Sequence, residues 1–424
     1  MTRDWQRLGS FNGRVQLLLL NQFTIKLGFN LLMPYLAGHL TNGLGYAAWA
    51  VSLVLSMRNI SQRGMCLVGG NLADRIGCKR AIVIGCALRT AGFALLGLAG
   101  SLPALLIASA LTGFAGALFD PAVRAYLAAE TGSRRAEAFG LFNMAGQAGL
   151  LLGPLAGLAL ACLDFRVVAA VAATLFAGLT VLQARALPAQ VPSEGEPGPV
   201  WRPVLANRRF LAFSAVMATA YMLSFQVYLT LPLVMEKALG VENNIGMGQM
   251  FTLCALVVIA GQSRVTTWVR GRWTPTQSLL RGLMMTGAAF LPLVIVGSPV
   301  PVMVGPEEVA EIVGITPILL TAVLLALGTM LICPFEMDVI VGLAGGRLIA
   351  THYGLYATIS GLGLTLGGLA IGFLWDFAAA HGAYRLPWIA LALLGCCGAL
   401  GLSALNRTLD LPGQASPSHR QASR

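Results

Sequence analysis

Residues 69–80 read GGNLADRIGCKR, a short polar segment with two glycines at its start, one carboxylate and three basic side chains. It stands between two apolar windows, 46–68 and 81–100, each long enough to cross a hydrocarbon core, which takes about 20 helical residues. Glycine permits a tight turn, and the carboxylate of Asp74 can face the positive N-terminus of a neighbouring helix. The segment therefore predicts a loop between two membrane-spanning helices.

The composition indicates that lipid is the solvent for most of this chain. Of the 424 residues, 57% are hydrophobic and only 11% are charged, with a mean hydropathy of +0.76. A soluble domain carries roughly a quarter charged residues, so charge is too sparse here to cover a water-facing surface. The net charge of +11 comes from basic residues spread over short loops, which indicates membrane orientation and not nucleic-acid binding.

The apolar windows form two sets of six, separated by a polar, proline-rich stretch. The windows are 15–39, 46–68, 81–100, 103–127, 138–161 and 166–187, then 210–235, 247–269, 279–298, 315–340, 350–377 and 386–406. We predict an all-α membrane protein with twelve transmembrane helices in two pseudo-symmetric six-helix bundles. The predicted parts are bundles at 1–187 and 210–407, a cytoplasmic linker at 188–209 and a cytoplasmic tail at 408–424.

Loop charges orient the predicted helices. If the N-terminus is cytoplasmic, most loop arginines and lysines fall on inner loops, with Arg166 and Arg385 as exceptions. Basic residues favour the cytoplasmic side, so both termini are expected there. The first apolar run is too long for a signal peptide, which predicts an uncleaved first span.

An internal repeat relates the two halves. FGLFNMAGQAGLLLGPLAG begins at Phe139, and YGLYATISGLGLTLGGLAIG begins at Tyr353. Three glycines recur at one constant offset, in the fifth and the eleventh predicted span. Repeats of this kind are common in transporters.

The loop quoted at the start resembles the signature G-x-L-A-D-R-x-G-[RK]-[RK]-x of the major facilitator superfamily. The matching residues are Gly70, Leu72, Ala73, Asp74, Arg75, Gly77, Lys79 and Arg80. Cys78 departs from the pattern, because the family usually has a basic residue there. The resemblance implies a latch that steadies the outward-facing state, and a loop that only sets topology is the alternative. Charged residues near the inner ends of the fourth and tenth spans are expected to share this latch or gating role, namely Asp120, Arg124, Glu336 and Asp338.

Two further patterns resemble the drug–proton antiporter branch of that family. The first span has Leu27–Gly28–x5–Pro34, and the fifth has the antiporter motif without its final glycine. The motif residues are Gly140, Gly149, Gly153, Pro154 and Gly157. A generic packing face of small residues would also account for the glycines. The fourth span has Ser109 where the family often has an arginine, so proton antiport by that route is not supported. Longer stretches, such as GALFDPAVRAYLA (116–128), resemble the MdtH-type multidrug exporters.

Charged residues inside the predicted spans are functional candidates by default, because lipid does not tolerate them. Lys26 lies about 18 Å along its helix from Arg14, at 1.5 Å per residue, and Arg58 and Arg89 lie at comparable depth. No acid of this half is expected as deep. Asp120 and Arg124, four residues apart on one helix face, are expected to form an ion pair.

Two roles remain open for Lys26. It is either a neutral, protonatable coupling group, or part of a cationic cavity that binds an anionic or zwitterionic solute. A structural alternative is that Asn21, Asn30 or the polar groups of another span satisfy its ammonium group. Asn30, Tyr221 and Gln226 complete the predicted substrate and proton pathway.

The leading hypothesis is a secondary active transporter that exports small organic molecules by alternating access, coupled to protons. It is expected to be a monomer in the cytoplasmic (inner) membrane of a bacterium, with no cofactor, no metal and no nucleic-acid partner. The alternative substrate is an endogenous anionic metabolite, such as a siderophore or an organic acid. A membrane enzyme is disfavoured, since the sequence has no Ser/His/Asp arrangement, metal-ligand spacing or phosphate loop. A sensor without transport is a third class.

Overall fold

The computed structural model describes residues 9–161, 165–189, 201–239, 244–297 and 307–409. Within these ranges, every regular element is a helix. Half of the predicted linker (190–200) and nearly all of the predicted tail (410–424) lie outside the described residues.

The described residues of the first half form seven α-helices. They are α1 (Gly13–Gly38), α2 (Ala48–Gly64), α3 (Cys66–Ile76), α4 (Cys78–Leu98), α5 (Leu102–Thr131), α6 (Arg135–Ala161) and α7 (Phe165–Ala186). A π-helical turn, His39–Gly43, extends α1, and a 3₁₀ turn, Gly132–Arg134, joins α5 to α6.

In the second half, the residues that the structure describes form eight α-helices, two of which have only six residues. They are α8 (Trp201–Ala206), α9 (Arg208–Leu239), α10 (Asn244–Arg270), α11 (Pro275–Ala288), α12 (Leu291–Val296), α13 (Glu307–Leu343), α14 (Ile349–His381) and α15 (Leu386–Leu409).

Ten helical stretches of the described residues are long and apolar enough to cross a membrane. Two differences from the twelve predicted windows explain the number. The predicted span 46–68 is divided at Met65 into α2 and α3, of 17 and 11 residues. The windows 103–127 and 138–161 fall in one continuous stretch, Leu102–Gly157, which contains α5 and most of α6.

The helices form two compact units. Unit 1 comprises Met1–Asn207 together with Ala344–Gly361, and unit 2 comprises Arg208–Leu343 together with Leu362–Arg424. Helix α14 therefore begins in unit 1 and ends in unit 2. The core of unit 1 includes Phe93, Phe119 and Phe176, all essentially inaccessible, and that of unit 2 includes Phe290 and Trp388.

The repeated glycines pack in the same way in the two units. In unit 1, Gly149 and Gly153 of α6 lie against α1, the first long helix of that unit. In unit 2, Gly363 and Gly367 of α14 lie against Ala218 and Met222 of α9, the first long helix of the second half. The sequence repeat therefore corresponds to a repeated helix crossing, in which small residues let two backbones approach closely.

Candidate functional site

The crossing of α1 and α6 positions the charged first helix. A Cβ atom placed on Gly149 would lie 2.8 Å from the Cβ of Lys26 and would overlap the carbonyl oxygen of Phe23. A Cβ on Gly153 would lie 2.7 Å from the Cβ of Asn30. These separations are shorter than real Cβ contacts, so only glycine fits at either position. The glycines of the antiporter motif thus hold α1 at the level of Lys26.

Pro154 and Gly157 extend this crossing towards the end of α1. The hydroxyl of Tyr35 donates a hydrogen bond to the carbonyl oxygen of Pro154 at 2.8 Å. A Cβ on Gly157 would overlap the carbonyl oxygen of Leu31. Gly140, at the other end of the motif, is buried.

Replacing Gly149 by valine is expected to destabilise the protein by about 1–3 kcal/mol, the usual cost of overpacking a tight site. The added atoms have no room unless α1 moves away from α6 and takes Lys26 with it. Thermal unfolding in detergent measures this effect. Gly178→Val on α7 is the matched control, because a Cβ at Gly178 meets no atom within 4 Å. Equal unfolding temperatures for the two variants would contradict the packing role of Gly149.

The side chain of Lys26 is solvent-exposed, although it lies in the middle of a helix that packs on α6 and α7. Its ammonium group has no hydrogen bond or ion pair with any residue that the structure describes. The charged groups that act on it are Asp120, Arg89, Arg124 and Arg58. Among the described residues, Lys26 therefore faces an accessible space near three arginines and one acid.

Neither asparagine satisfies Lys26. The amide nitrogen of Asn30 donates to the backbone oxygen of Lys26 at 2.8 Å, not to a group near the ammonium. The side chain of Asn21 is fully buried, and both its polar atoms lack a hydrogen-bond partner within the described part of the chain. The structural alternative for Lys26 is therefore not what the structure shows.

A polar chain of four side chains links α2, α5 and α4. Arg58 donates to the Oε1 atom of Gln62 at 3.3 Å, and Gln62 donates to the Oδ2 atom of Asp120 at 3.3 Å. The other oxygen of Asp120 lies 3.7 Å from Nη2 of Arg89. We call these four residues, together with Lys26, the polar cluster. Asp120 thus links two guanidinium groups that come from different helices.

Aromatic rings support both guanidinium groups of the polar cluster. The Cζ atom of Arg58 lies 4.2 Å from the ring centre of Phe29, and that of Arg89 lies 5.1 Å from the ring centre of Phe119. A cation over an aromatic face is attracted by the ring quadrupole. The rings therefore stabilise the positive charges without neutralising them, which keeps the cluster cationic.

One prediction for this half is corrected by the structure. The predicted ion pair between Asp120 and Arg124 is wrong, because the ion pair of Asp120 is with Arg89 of α4. The prediction that no acid of this half lies as deep as the arginines did not anticipate this contact. Residue spacing gives local partners only, whereas α4 packs along α5 and brings Arg89 to the acid.

Sequence reasoning missed Gln62. It lies one helical turn after Arg58, and it fits because Gly116 stands opposite: a Cβ on Gly116 would lie 2.9 Å from Nε2 of Gln62 and 3.2 Å from Nη2 of Arg89. The sequence offered one indication of this residue, namely that a glutamine stands within the apolar window 46–68. Its importance depends on a glycine more than 50 residues away, which the local sequence does not indicate.

The carboxylate of Asp74 binds the start of α14, inside unit 1. It accepts hydrogen bonds from the backbone nitrogens of Ala350 and Thr351, at 3.2 and 2.7 Å, and from the hydroxyl of Thr351 at 2.6 Å. This is the helix N-terminus that the sequence predicted without saying which helix. Burial raises the pKa of the Asp74 carboxyl, and the three hydrogen bonds act against that rise.

The sequence predicted that the glycines of this loop form one tight turn, but in the structure Gly70 and Gly77 have different roles. Residues 69–76 are helical and belong to α3, where a Cβ on Gly70 would overlap the carbonyl oxygen of Ala350. Gly77 alone makes the turn, with a φ of +91° that side chains disfavour. Arg75 and Arg80 are exposed and Lys79 is half-buried.

The sequence profile described as "Major Facilitator Superfamily" matches residues 18–368 of this chain. The chain belongs to the Major Facilitator Superfamily.

Relatives of this superfamily member cover nearly its whole length. An uncharacterized MFS-type transporter of Mycobacterium tuberculosis H37Rv is 46% identical over 400 residues, 93% of this chain and 94% of the relative. The multidrug resistance protein MdtH of Salmonella typhi is 30% identical over 392 residues, 89% of this chain and 90% of the relative. The resemblance to MdtH-type exporters is thus confirmed.

A solved structure agrees with the superfamily fold. The crystal structure of the human organic anion transporter MFSD10 (TETRAN) matches with a TM-score of 0.67, covering 92% of this chain and 98% of that one. The sequence identity is 16%, so this likeness bears on the fold alone. A multi-pass helical membrane transporter is the architecture that the comparisons share.

In unit 2 of this superfamily member, the predicted pathway residues lie on α9. Tyr221 stacks on Phe225 with ring centres 6.1 Å apart. The side chain of Gln226 is fully buried, and its amide donates to the backbone oxygen of Met222, four residues earlier, while its carbonyl oxygen accepts from Thr230. Gln226 therefore bonds within its own helix and presents no amide to a solute in this structure.

The two acids predicted at the inner end of the tenth span lie near the end of α13. Glu336 is buried there, and Asp338 is half-buried.

Proposed function

We propose that this protein is a secondary active transporter that exports small organic molecules by alternating access, in a bacterial cytoplasmic membrane. The observation that carries the proposal is the polar cluster of unit 1, with an accessible lysine at mid-helix in a chain of a transporter superfamily. An intramembrane charge of this kind marks a substrate or ion pathway. The relatives named for multidrug resistance support efflux as the direction of transport.

The proposal includes twelve spans, with both termini in the cytoplasm, and a monomeric protein. In this arrangement α2 and α3 form one interrupted span, and α5 and α6 form two. The inner-loop arginines support this orientation, since they recur on alternate loops.

Proton coupling is also proposed and is assigned to the polar cluster. Ser109 stands where an arginine often serves in this branch, and it lies on α5, the helix that carries Asp120. Within the polar cluster, the proton is assigned to Lys26, an accessible lysine near Arg58 and Arg89. Lys26 can carry a proton between the two sides of the membrane if its surroundings change during the transport cycle.

The latch role is proposed for the loop residues that hold the start of α14. Asp74 accepts the hydrogen bonds from the start of α14, and Gly70 lets the backbone of α3 approach it closely. Gly77 makes the turn that follows α3. The basic charge at the inner face comes from Arg75, Lys79 and Arg80. Glu336, Asp338, Asp120 and Arg124 were predicted to act at the inner ends of their helices. Asp120 acts instead within the polar cluster, and the inner-end role is kept for Glu336 and Asp338.

A second candidate function is the export of an endogenous organic anion. The specific observation that favours it is the charge of the polar cluster, in which Lys26, Arg58 and Arg89 have one acid, Asp120, among the described residues. Basic groups held together at low dielectric repel one another, and an anionic solute relieves that repulsion.

A flux assay in proteoliposomes with an imposed pH gradient tests both candidates. The probes are tetraphenylphosphonium, a lipophilic cation, and p-aminohippurate, an organic carboxylate. We expect Lys26→Ala to lower p-aminohippurate flux at least about tenfold, the effect of losing ~1.4 kcal/mol of binding free energy. Lys26→Arg retains the charge and should retain most of the flux.

The matched control is Arg185→Ala, which removes an exposed basic side chain from the end of α7 and should leave both fluxes unchanged. Normal transport of both probes by Lys26→Ala would show that Lys26 does not line the path. A wild-type protein that moves neither probe nor any other organic solute would contradict the exporter proposal.

A further inference from the structure

Asp120 is the one acid that neutralises the polar cluster, as far as the described chain shows. Its carboxylate contacts Arg89 through one oxygen and Gln62 through the other, and Gln62 connects it to Arg58. The side chain of Asp120 is 31% exposed, whereas that of Arg89 is 8% exposed. The acid therefore lies at the accessible edge of the cluster, with the buried guanidinium group behind it.

The cluster has unused hydrogen-bonding capacity. The Nε atom of Arg58 is buried and has no hydrogen-bond partner among the described residues. The ammonium group of Lys26 is exposed and also lacks one. An unpaired buried donor costs free energy, and a guanidinium group binds a carboxylate through two parallel hydrogen bonds. The free donors are therefore suited to a carboxylate that is not part of the chain.

The contact between Asp120 and Arg89 is weaker than a strong ion pair. The separation of 3.7 Å exceeds the 2.7–2.9 Å of a charge-assisted hydrogen bond. A carboxylate of a solute that reached Arg89 with good geometry would compete with Asp120 for the same guanidinium group. The carboxylate of Asp120 therefore offsets part of the positive charge of the empty cluster, but it does not accept hydrogen bonds from all of the cluster's donors.

We propose that Asp120 is the internal counter-ion of an anion-binding site, and that the carboxylate of a bound organic anion displaces it from Arg89. The inference rests on the second candidate function and specifies its binding site. In the empty site Asp120 offsets part of the positive charge. In the occupied site the solute takes that role, bound by Arg89, by Arg58 and by the ammonium group of Lys26.

A competitor of this kind makes anion binding depend on the charge of the side chain at position 120. The carboxylate of Asp120 and the carboxylate of the solute compete for the guanidinium group of Arg89, so a neutral side chain at position 120 should strengthen anion binding. The charged groups that lie near Asp120 are, by element, Lys26 of α1, Arg58 of α2, Arg89 of α4 and Arg124 of α5.

Equilibrium binding of p-aminohippurate to the full-length protein in lipid nanodiscs tests the proposal. The probe carries one carboxylate that is ionised at pH 7.5, since ordinary α-carboxyl pKa values lie near 3.5. At this pH we expect Asp120→Asn to bind the probe about tenfold more tightly than the wild type, equivalent to ~1.4 kcal/mol. The neutral amide of the probe should not bind.

Asp120→Ser is a second neutral variant, used if Asp120→Asn does not fold, whereas Asp120→Glu keeps the acid and should bind the probe like the wild type. Equal or weaker binding to the neutral variants than to the wild type at pH 7.5 would overturn the proposal. The two levels of failure are distinguishable. If the wild type transports tetraphenylphosphonium but neither it nor the neutral variants bind p-aminohippurate, the anion site is refuted and the exporter proposal stands.

Discussion

Asp74→Ala is expected to lower transport at least about tenfold and to lower the unfolding temperature. The carboxylate is the acceptor for two backbone N–H groups and one hydroxyl at the start of α14. Removing the acceptor leaves these buried donors without partners, at about 1–3 kcal/mol for each. It also removes a negative charge from the positive end of a helix, where such charges are stabilising. Flux in proteoliposomes and thermal unfolding in detergent measure the two effects.

A matched pair at Thr351 separates the hydroxyl contribution from the rest. Thr351→Ser keeps the hydrogen bond to Asp74 and should behave like the wild type. Thr351→Val removes the hydroxyl and keeps the shape, so it should reproduce part of the Asp74→Ala defect. If Asp74→Ala unfolds at the wild-type temperature and transports normally, the contact with α14 has no latch role and the loop only sets topology.

Arg89→Met is expected to have the second large effect. It removes the partner of Asp120 and leaves the acid facing only Gln62 at close range. Breaking a fully buried ion pair costs about 3–5 kcal/mol. Because the Asp120 side chain is 31% exposed, water can solvate the stranded carboxylate, and we expect about 2 kcal/mol. The measurement is the unfolding temperature in detergent, together with p-aminohippurate flux, which should fall to background.

A double-mutant cycle isolates the pair. Asp120→Asn in the Arg89→Met background removes the stranded charge, so the double variant should recover much of the lost stability. It should not recover flux, because the guanidinium group that binds the solute is still absent. Strictly additive losses of stability in the double variant would contradict a direct interaction between Arg89 and Asp120.

The sequence was a good guide wherever a residue acts through its own backbone or its own helix. Gly77 was expected to turn the chain and takes a φ of +91°. The glycines of the fifth span were expected to permit close packing, and they lie against α1. These features depend on the absence of a Cβ atom, which is a property of the residue and not of its distant neighbours.

The sequence failed where the partner of a charge lies on another helix. Spacing assigned Asp120 to Arg124, one turn away, whereas its ion pair is with Arg89. Asp74 was expected at a helix N-terminus, but the sequence could not show that this helix is α14, some 275 residues away. Gln226 was expected to face a solute, and its amide bonds within its own helix instead. Each of these outcomes depends on which helices pack together and on how each helix is rotated.

The contact between Gly149 and Lys26 has a consequence for how the cargo of such a protein can change by mutation. Every amino acid other than glycine carries a Cβ atom, so any substitution of Gly149 places an atom where the Cβ of Lys26 already lies. At position 26, the close contact with Gly149 is made by the Cβ atom, which most other amino acids also carry. Mutations that change the substrate range are therefore expected at Lys26 more readily than at the glycine that packs against it.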